Sequence, residues 1–528
     1  SFAAPFFTIP DSFSSQYVLQ TKDPNTTGTT PVPPEFGLFT STFQTILVQG
    51  DGLQDDVHAP SFTVVGASND VTKTLVVSLL EDDGSPVSNS LISIGAPVEV
   101  AAATASGVIG YQVAVPGNAT RVGPGGSSGV IQGGQVYLEA ESVSINAGVT
   151  SQNDVSVWSV AGDTNRNAET VPVGIAIRQD VQGNGPIFME ADAVGMNVLP
   201  GGSISGVGDP ATSAASRFTL DLRDTDAVLA GEINANEHSY WLEQSFGSVG
   251  VAKARTITTK ATSTGSQSGR IIGEDLVVYL ANVSVEPVAE GDPQDGTVDI
   301  ATSVDQARIT SATTNLDSSL DYDITVSNDR SITLDSVMAS QGDMTYIAES
   351  GTVTLDAAIN TVGSFTLQSA ADLVVESEIQ SSSNVSLVST AGSVTTRAAI
   401  MTQEASTELG AIVITAAQNV EIDSLVRAEF DGINVTATAG SIQSSSLTDP
   451  TSRLQGSNAI LTAQSGISVG TRLFDVTASV SQAGDIVIND DFDDRDDPTA
   501  EPPLTDLQLT AITTVDGSIT VSAIQNID

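Results

Sequence analysis

Apolar and polar residues alternate with a period of two through most of this chain, in short runs punctuated by Gly, Asn, Asp and Ser. That period belongs to β-strands, whose successive side chains point to opposite faces; helical periodicity is absent throughout. The pattern is most regular from Asp323 onward. One kind of strand begins at Ile332 (SITLDS), Val353 (GTVTLDA), Leu373 (ADLVVES), Val394 (GSVTTRA), Val420 (NVEIDS), Ile442 (GSIQSS), Ile467 (GISVG), Ile486 (GDIVIND) and Ile519 (GSITVS). The starts are 21, 20, 21, 26, 22, 25, 19 and 33 residues apart. A second kind lies between them, at Met344 (GDMTYIA), Phe365 (GSFTLQS), Val385 (SNVSLVS), Ile412 (GAIVITA), Ile433 (DGINVTA) and Ala459 (SNAILTA). One repeat is thus read as two strands and two or more turns.

A period near twenty residues with two short β-runs predicts an all-β fold in which each repeat is one coil of a parallel β-helix, or β-solenoid. Within GTVTLDA, Val353, Leu355 and Ala357 point one way and Thr354 and Asp356 the other. Stacking the repeats places Ile332, Val353, Leu373 and Val394 in one interior column. A single coil buries too little to be stable, so neighbouring coils stabilise one another. Gly351, Gly392, Gly440, Gly484 and Gly517 precede strands and suit tight corners with unusual backbone angles. The longer spacings predict loops on one face at Met401 to Leu409, Leu447 to Arg453, and the acidic, Pro-containing Asp490 to Pro503.

The same grammar extends toward the N-terminus with larger interruptions. Gly129 to Asn146 (GVIQGGQVYLEAESVSIN) and Gly269 to Pro287 (GRIIGEDLVVYLANVSVEP) resemble Arg453 to Val469 (RLQGSNAILTAQSGISV). Three regions follow: an irregular β-rich segment over 1–128, either a small sandwich or a solenoid cap; an irregular solenoid over 129–300 with a long insertion at about 161–264; and regular coils over 301–528.

Composition narrows the function. The chain has 528 residues, 40% hydrophobic but only 5% aromatic, a palette of Val, Ile, Leu and Ala that suits thin β-layers. Its 18 Lys and Arg against 64 Asp and Glu give a net charge of -46. A field of that sign repels phosphate backbones and anionic lipid, which argues against nucleic-acid binding and membrane docking. There is no cysteine, hence no disulfide, no thiol nucleophile and no Cys-ligated metal. No apolar stretch is long enough to cross a bilayer, and SFAAPFFTIP has neither an initiator Met nor a basic leader, so a segment removed upstream is expected.

The run GDMTYIAESGTVTLDAAINTVGSFTLQSAADLVVESEIQ resembles the repeats of filamentous haemagglutinin-like exoproteins and of the very large repetitive surface proteins of planctomycete-type bacteria. The resemblance covers Asp323 to Asp528, with patches at Gly129 to Asn146 and Gly269 to Pro287. It implies a right-handed β-helix exported to the cell surface as an adhesin, fibre or coat subunit. The NPNG-type and NPNL-type secretion motifs of two-partner haemagglutinins do not occur in this sequence.

Few residues offer chemistry. The loop NDDFDDRDD gathers Asp490, Asp491, Asp493, Asp494, Asp496 and Asp497, hard oxygen ligands of the kind that Ca²⁺ takes in sets of six to eight. It lacks both EF-hand spacing and the calcium-binding nonapeptide, so a solvated charge run is the competing reading, and no cofactor is required. The two histidines, His58 in GLQDDVHAP and His238 in EHSYW, leave little material for a catalytic triad or zinc site. His238, Tyr240 and Trp241 form the one aromatic cluster suited to an interface. The expected function is non-enzymatic and extracellular: a surface fibre, sheath or layer that self-associates through solenoid ends and faces. The alternatives are an adhesin stalk making cell-surface or polysaccharide contacts through its insertion, and a polysaccharide-acting enzyme, which would need paired carboxylates in a cleft.

Overall fold

The computed structural model describes strand backbones discontinuously over 17–159, and residues 175–178, 180–183, 187–191, 196–206, 218–229, 232–234, 249–260, 269–280, 296–311, 322–337, 342–402, 410–490 and 507–523. Every regular element among the described residues is a β-strand, and each described pairing cited below is parallel. The chain divides into two compact units, Ser1–Val283 and Ser284–Asp528.

In the second unit three ladders interleave. The first joins Gly296–Ser303, Tyr322–Asn328, Met344–Ala348, Phe365–Ser369, Val385–Ser389 and Ile412–Ala416 in succession, then passes through Ile433, Ala459 and Val476 to Gln508–Asp516. The second contains Ile332, Val353, Leu373, Val394, Val420, Ile442 and Ile467 in register, followed by Ile486 and Ile519. From Ile332 to Ile486 each of these is at most 3% exposed, because inward side chains of consecutive repeats lie on top of one another.

The third ladder was not visible as alternation. Ile359–Thr361, Ile379–Ser381 and Ile400–Thr402 pair in register and continue into Val426, Leu454 and Thr471. A repeat therefore holds three strands, not two. Each of these three short strands buries a single large apolar side chain, Ile359, Ile379 or Ile400, followed two residues later by a buried hydroxyl. One apolar residue makes no period.

Packing decides where small residues go. In the first ladder the column Asn328, Ala348, Ser369, Ser389, Ala416, Ala437, Ala463 lies at the corner and is buried throughout. There the Ser369 hydroxyl lies within hydrogen-bonding distance of the carbonyls of Gly351 (2.9 Å) and Asp372 (2.8 Å), with one proton to share between them, and Ser389 donates to Ala371 (2.5 Å), so the buried polar atoms close the turn. Of the five corner glycines singled out above, only Gly351 has a positive φ, of 91°. The others answer to close approach: a Cβ on Gly484 would lie 2.1 Å from the Ser465 carbonyl oxygen, and one on Gly517 would lie 2.1 Å from that of Gly484.

The first unit follows the same plan. Tyr17–Lys22 pairs with Thr45–Asp51, which pairs with Thr74–Leu79, and this ladder runs on through Val108–Gln112, Gln135–Ala140, Val155–Ser159 and Ile187–Ala191. The described pairings within the first 128 residues are parallel, as they are in the second unit. Over 161–264 the described strands stay in the ladders: Ile175 lies opposite Val143, Met196 opposite Ile175, and Ile187 opposite Val155. Register partners here are far apart in sequence, Ile187 and Phe218 by 31 residues and Phe218 and Val249 by another 31, so no period near twenty marks these repeats.

Candidate functional site

The outer corners of the second unit carry its polar chemistry. Just before a strand, an Asp or Asn side chain accepts the backbone N–H of the equivalent corner one repeat later. Asp343 accepts from Ser364 (2.8 Å), Asp372 from Ser393 (2.8 Å), Asn384 from Ala411 (3.0 Å), Asn419 from Ser441 (3.0 Å) and Asp485 from Ser518 (2.7 Å). These N–H groups lie where the chain turns out of the sheet, and the side-chain oxygens satisfy them. The sequence signal was the Asp and Asn punctuation, which reads equally well as ordinary turn composition.

A second outward column follows the second ladder. Backbone hydrogen bonds place Asp356 over Asp335, Glu376 over Asp356, Arg397 over Glu376 and Asp423 over Arg397. Arg397 pairs with Glu376, and Arg308 reaches Asp335 at 2.5 Å, so two of the chain's few cations bracket three stacked carboxylates. Among the described residues no group of three or more His, Asp and Glu side chains is arranged to hold a metal ion.

The residues expected to bind or contact partners are divided by the structure. Asp490 ends the strand Ile486–Asp490 and is only 3% exposed. Its Oδ2 accepts the Thr471 hydroxyl (2.9 Å) and the Leu473 N–H (3.1 Å), so it serves the sheet. Asp491, Asp493, Asp494, Asp496 and Asp497 lie outside the described residues, as do His238, Tyr240 and Trp241. His58 stands in the strand Val57–Ala59, opposite Ser93.

Of the expected loops, the one from Leu447 to Arg453 is described throughout. Ser452 is buried and donates to the Ile422 carbonyl (2.6 Å), and Asn489 donates to the Leu447 carbonyl (2.8 Å), pinning the loop against the ladders. At its tip the backbone N–H and then the hydroxyl of Thr451 hold the Asp449 carboxyl below the usual carboxylate range.

Two internal features escaped the sequence reading. Tyr346 is wholly buried, its ring 6.2 Å from that of Phe365, and its hydroxyl meets no hydrogen-bond partner; burial pushes its pKa up. At Gln508–Asp516 and Ile519–Ala523 the inward rule fails: Ile519 is 47% exposed although Ile486, its register partner, is fully buried. Leu509 and Ile512, in register with the buried Val476 and Ala478, are only half-covered. Nothing was known of these exposures from spacing, since Ile519 reads like every other strand start. No family model, curated protein or solved structure matches this chain.

Proposed function

We propose that the chain is a non-enzymatic structural component of an extracellular surface, built as a right-handed parallel β-solenoid with three strands per coil. The observation that carries this reading is where the polar side chains go. From Asp343 to Asp485 the corner carboxylates and amides hold the next repeat's backbone, and Ser369 and Ser389 close corners from inside. Residues committed in this way tie each repeat to the next and make a stiff spacer. Right-handedness is the sense that parallel crossover connections take almost without exception.

The ten successive strands of the first ladder in the second unit would span about 43 Å at about 4.8 Å per step. A net charge of -46 keeps such a chain soluble and resists nonspecific stacking. The likeness of the repeats to those of haemagglutinin-like exoproteins and planctomycete-type surface proteins favours the cell surface as the place of action. Immunogold electron microscopy of intact source cells tests the reading: label on fibres, sheath or surface layer is expected. Label confined to the cell interior would overturn it.

A further inference from the structure

The polar side chains at the corners of the second unit hold the next repeat, and those on the outward face of its first ladder do not. Seven successive strands build this face: Met344–Ala348, Phe365–Ser369, Val385–Ser389, Ile412–Ala416, and the stretches 433–437, 459–463 and 476–480, each in unbroken register with the next. The second and fourth residues of each point outward, from Thr345 and Ile347 in the first to Thr477 and Ser479 in the last. All of these side chains are half-exposed or exposed, Ile460 by 49%, so the face is open to solvent. Its hydroxyls and amides, among them Thr366, Gln368, Ser386 and Asn434, have no hydrogen-bond partner among the described residues.

No charged residue stands at these outward positions, in a chain whose net charge is -46. The outward side of the second ladder carries Asp335, Asp356, Glu376, Arg397 and Asp423, and that of the third carries Arg427 and Arg472. Two copies meeting through either charged side would have to strip water from those groups. The first ladder's face meets its own counterpart without setting like charges together, so in charge it is complementary to itself. Strands of five residues at about 3.3 Å each and seven rungs at about 4.8 Å make a panel of about 16 by 34 Å, so about 1,000 Å² is covered when two panels are laid together. That area lies at the lower limit for a specific contact, which makes the pairing a weak one.

We propose that the outward face of the first ladder in the second unit docks the same face of a second copy of this chain, so that two stacks pair side by side. Ile347, Val388, Val413 and Ile460 lose their water, and the uncommitted hydroxyls and amides of one face bond those of the other. This inference rests on the structural reading above and specifies how copies meet. Both partners are acidic overall, so the contact strengthens as salt screens their repulsion.

Sedimentation velocity of the full chain across concentration and salt tests it, with thermal melting as the control for folding. The wild type is expected to form dimers as concentration and salt rise. Val388→Glu and Thr415→Glu are each expected to weaken pairing at least tenfold without moving the melt. Thr354→Glu adds the same charge to the outward side of the second ladder and is expected to leave pairing unchanged. Because the chain has no native cysteine, Thr415→Cys on the middle strand of the face is expected to oxidise to a covalent dimer at least tenfold faster than Thr354→Cys. Pairing that survives both Val388→Glu and Thr415→Glu, or that Thr354→Glu weakens equally, overturns the side contact. So does a wild type that stays monomeric at every salt; if its melt then rises with a soluble uncharged glucan and Thr415→Glu abolishes the rise, the face belongs to a neutral glycan. The surface reading stands in each of these cases and falls only on label confined to the cell interior.

Discussion

The side chain of Asn328 pairs with the backbone of Val304 through two hydrogen bonds, as one strand pairs with another. The Val304 N–H donates to Asn328 Oδ1 at 2.9 Å and Asn328 Nδ2 donates to the Val304 carbonyl at 3.0 Å. Oδ1 also accepts the Thr302 hydroxyl at 2.9 Å, and Nδ2 reaches the Arg330 carbonyl at 2.8 Å. The amide is fully buried and stands in for a stretch of sheet where the chain turns. Asn328→Leu keeps the volume and strands both groups of Val304. The expected loss is about 3 kcal/mol, read as a lower denaturant midpoint.

Tyr346 is the opposite case, a buried polar atom with nothing to bond. Tyr346→Phe removes an unpaired hydroxyl and leaves the ring against Phe365. Stability is expected to hold or to rise by about 1 kcal/mol. The pH dependence follows from the raised pKa. The unfolded phenol loses its proton near pH 10 while the buried one keeps it, so the folded state binds more protons and stability falls as pH rises above about 10. In Tyr346→Phe that part of the alkaline loss is expected to vanish, which melting curves between neutral and strongly alkaline pH would reveal.

Asp490→Ala leaves the Thr471 hydroxyl and the Leu473 N–H without their acceptor inside the sheet. A cost of about 1–3 kcal/mol is expected. The loss should be the same in EDTA and in millimolar calcium, because the partners that Asp490 loses are protein groups. A destabilisation that appears only with calcium present would make Asp490 a ligand first.

Arg397 is one cation in a column otherwise made of Asp335, Asp356, Glu376 and Asp423. Replacing it by Gln removes the neighbour that offsets repulsion between carboxylates about 4.8 Å apart. Because the pair is substantially exposed, the effect is expected to stay within about 1 kcal/mol and to be largest at low ionic strength. A melting difference that did not shrink with added salt would point to lost packing by the Arg397 stem.

The parallel columns were readable from spacing because Ile332, Val353, Leu373 and Val394 recur with intervening residues that alternate. What spacing could not carry was anything that depends on one residue. Ile359, Ile379 and Ile400 each anchor a strand alone, so the third ladder looked like turn. Between Val143 and Ile175 the repeat continues across a connection too long to keep a period. Asn328 is one more Asn among many punctuating residues until its partners are seen. Exposure at Ile519 depends on what lies beyond it in the ladder, a property of the stack and not of the strand. The acidic run after Asp490 and the aromatic cluster of His238, Tyr240 and Trp241 lie outside the described residues, so their expected roles stand where the sequence left them.

The corner hydrogen bonds from each Asp or Asn to the next repeat also set how the protein meets force. Tension along the chain loads one repeat at a time, since each of these corner bonds reaches only the adjacent repeat. A repeat near twenty residues that lets go frees about 70 Å of extended chain while those behind it stay closed. Drawn from a free end, such a stack would pay out length in even steps, a reserve that absorbs a sudden pull before the anchorage at the other end feels it.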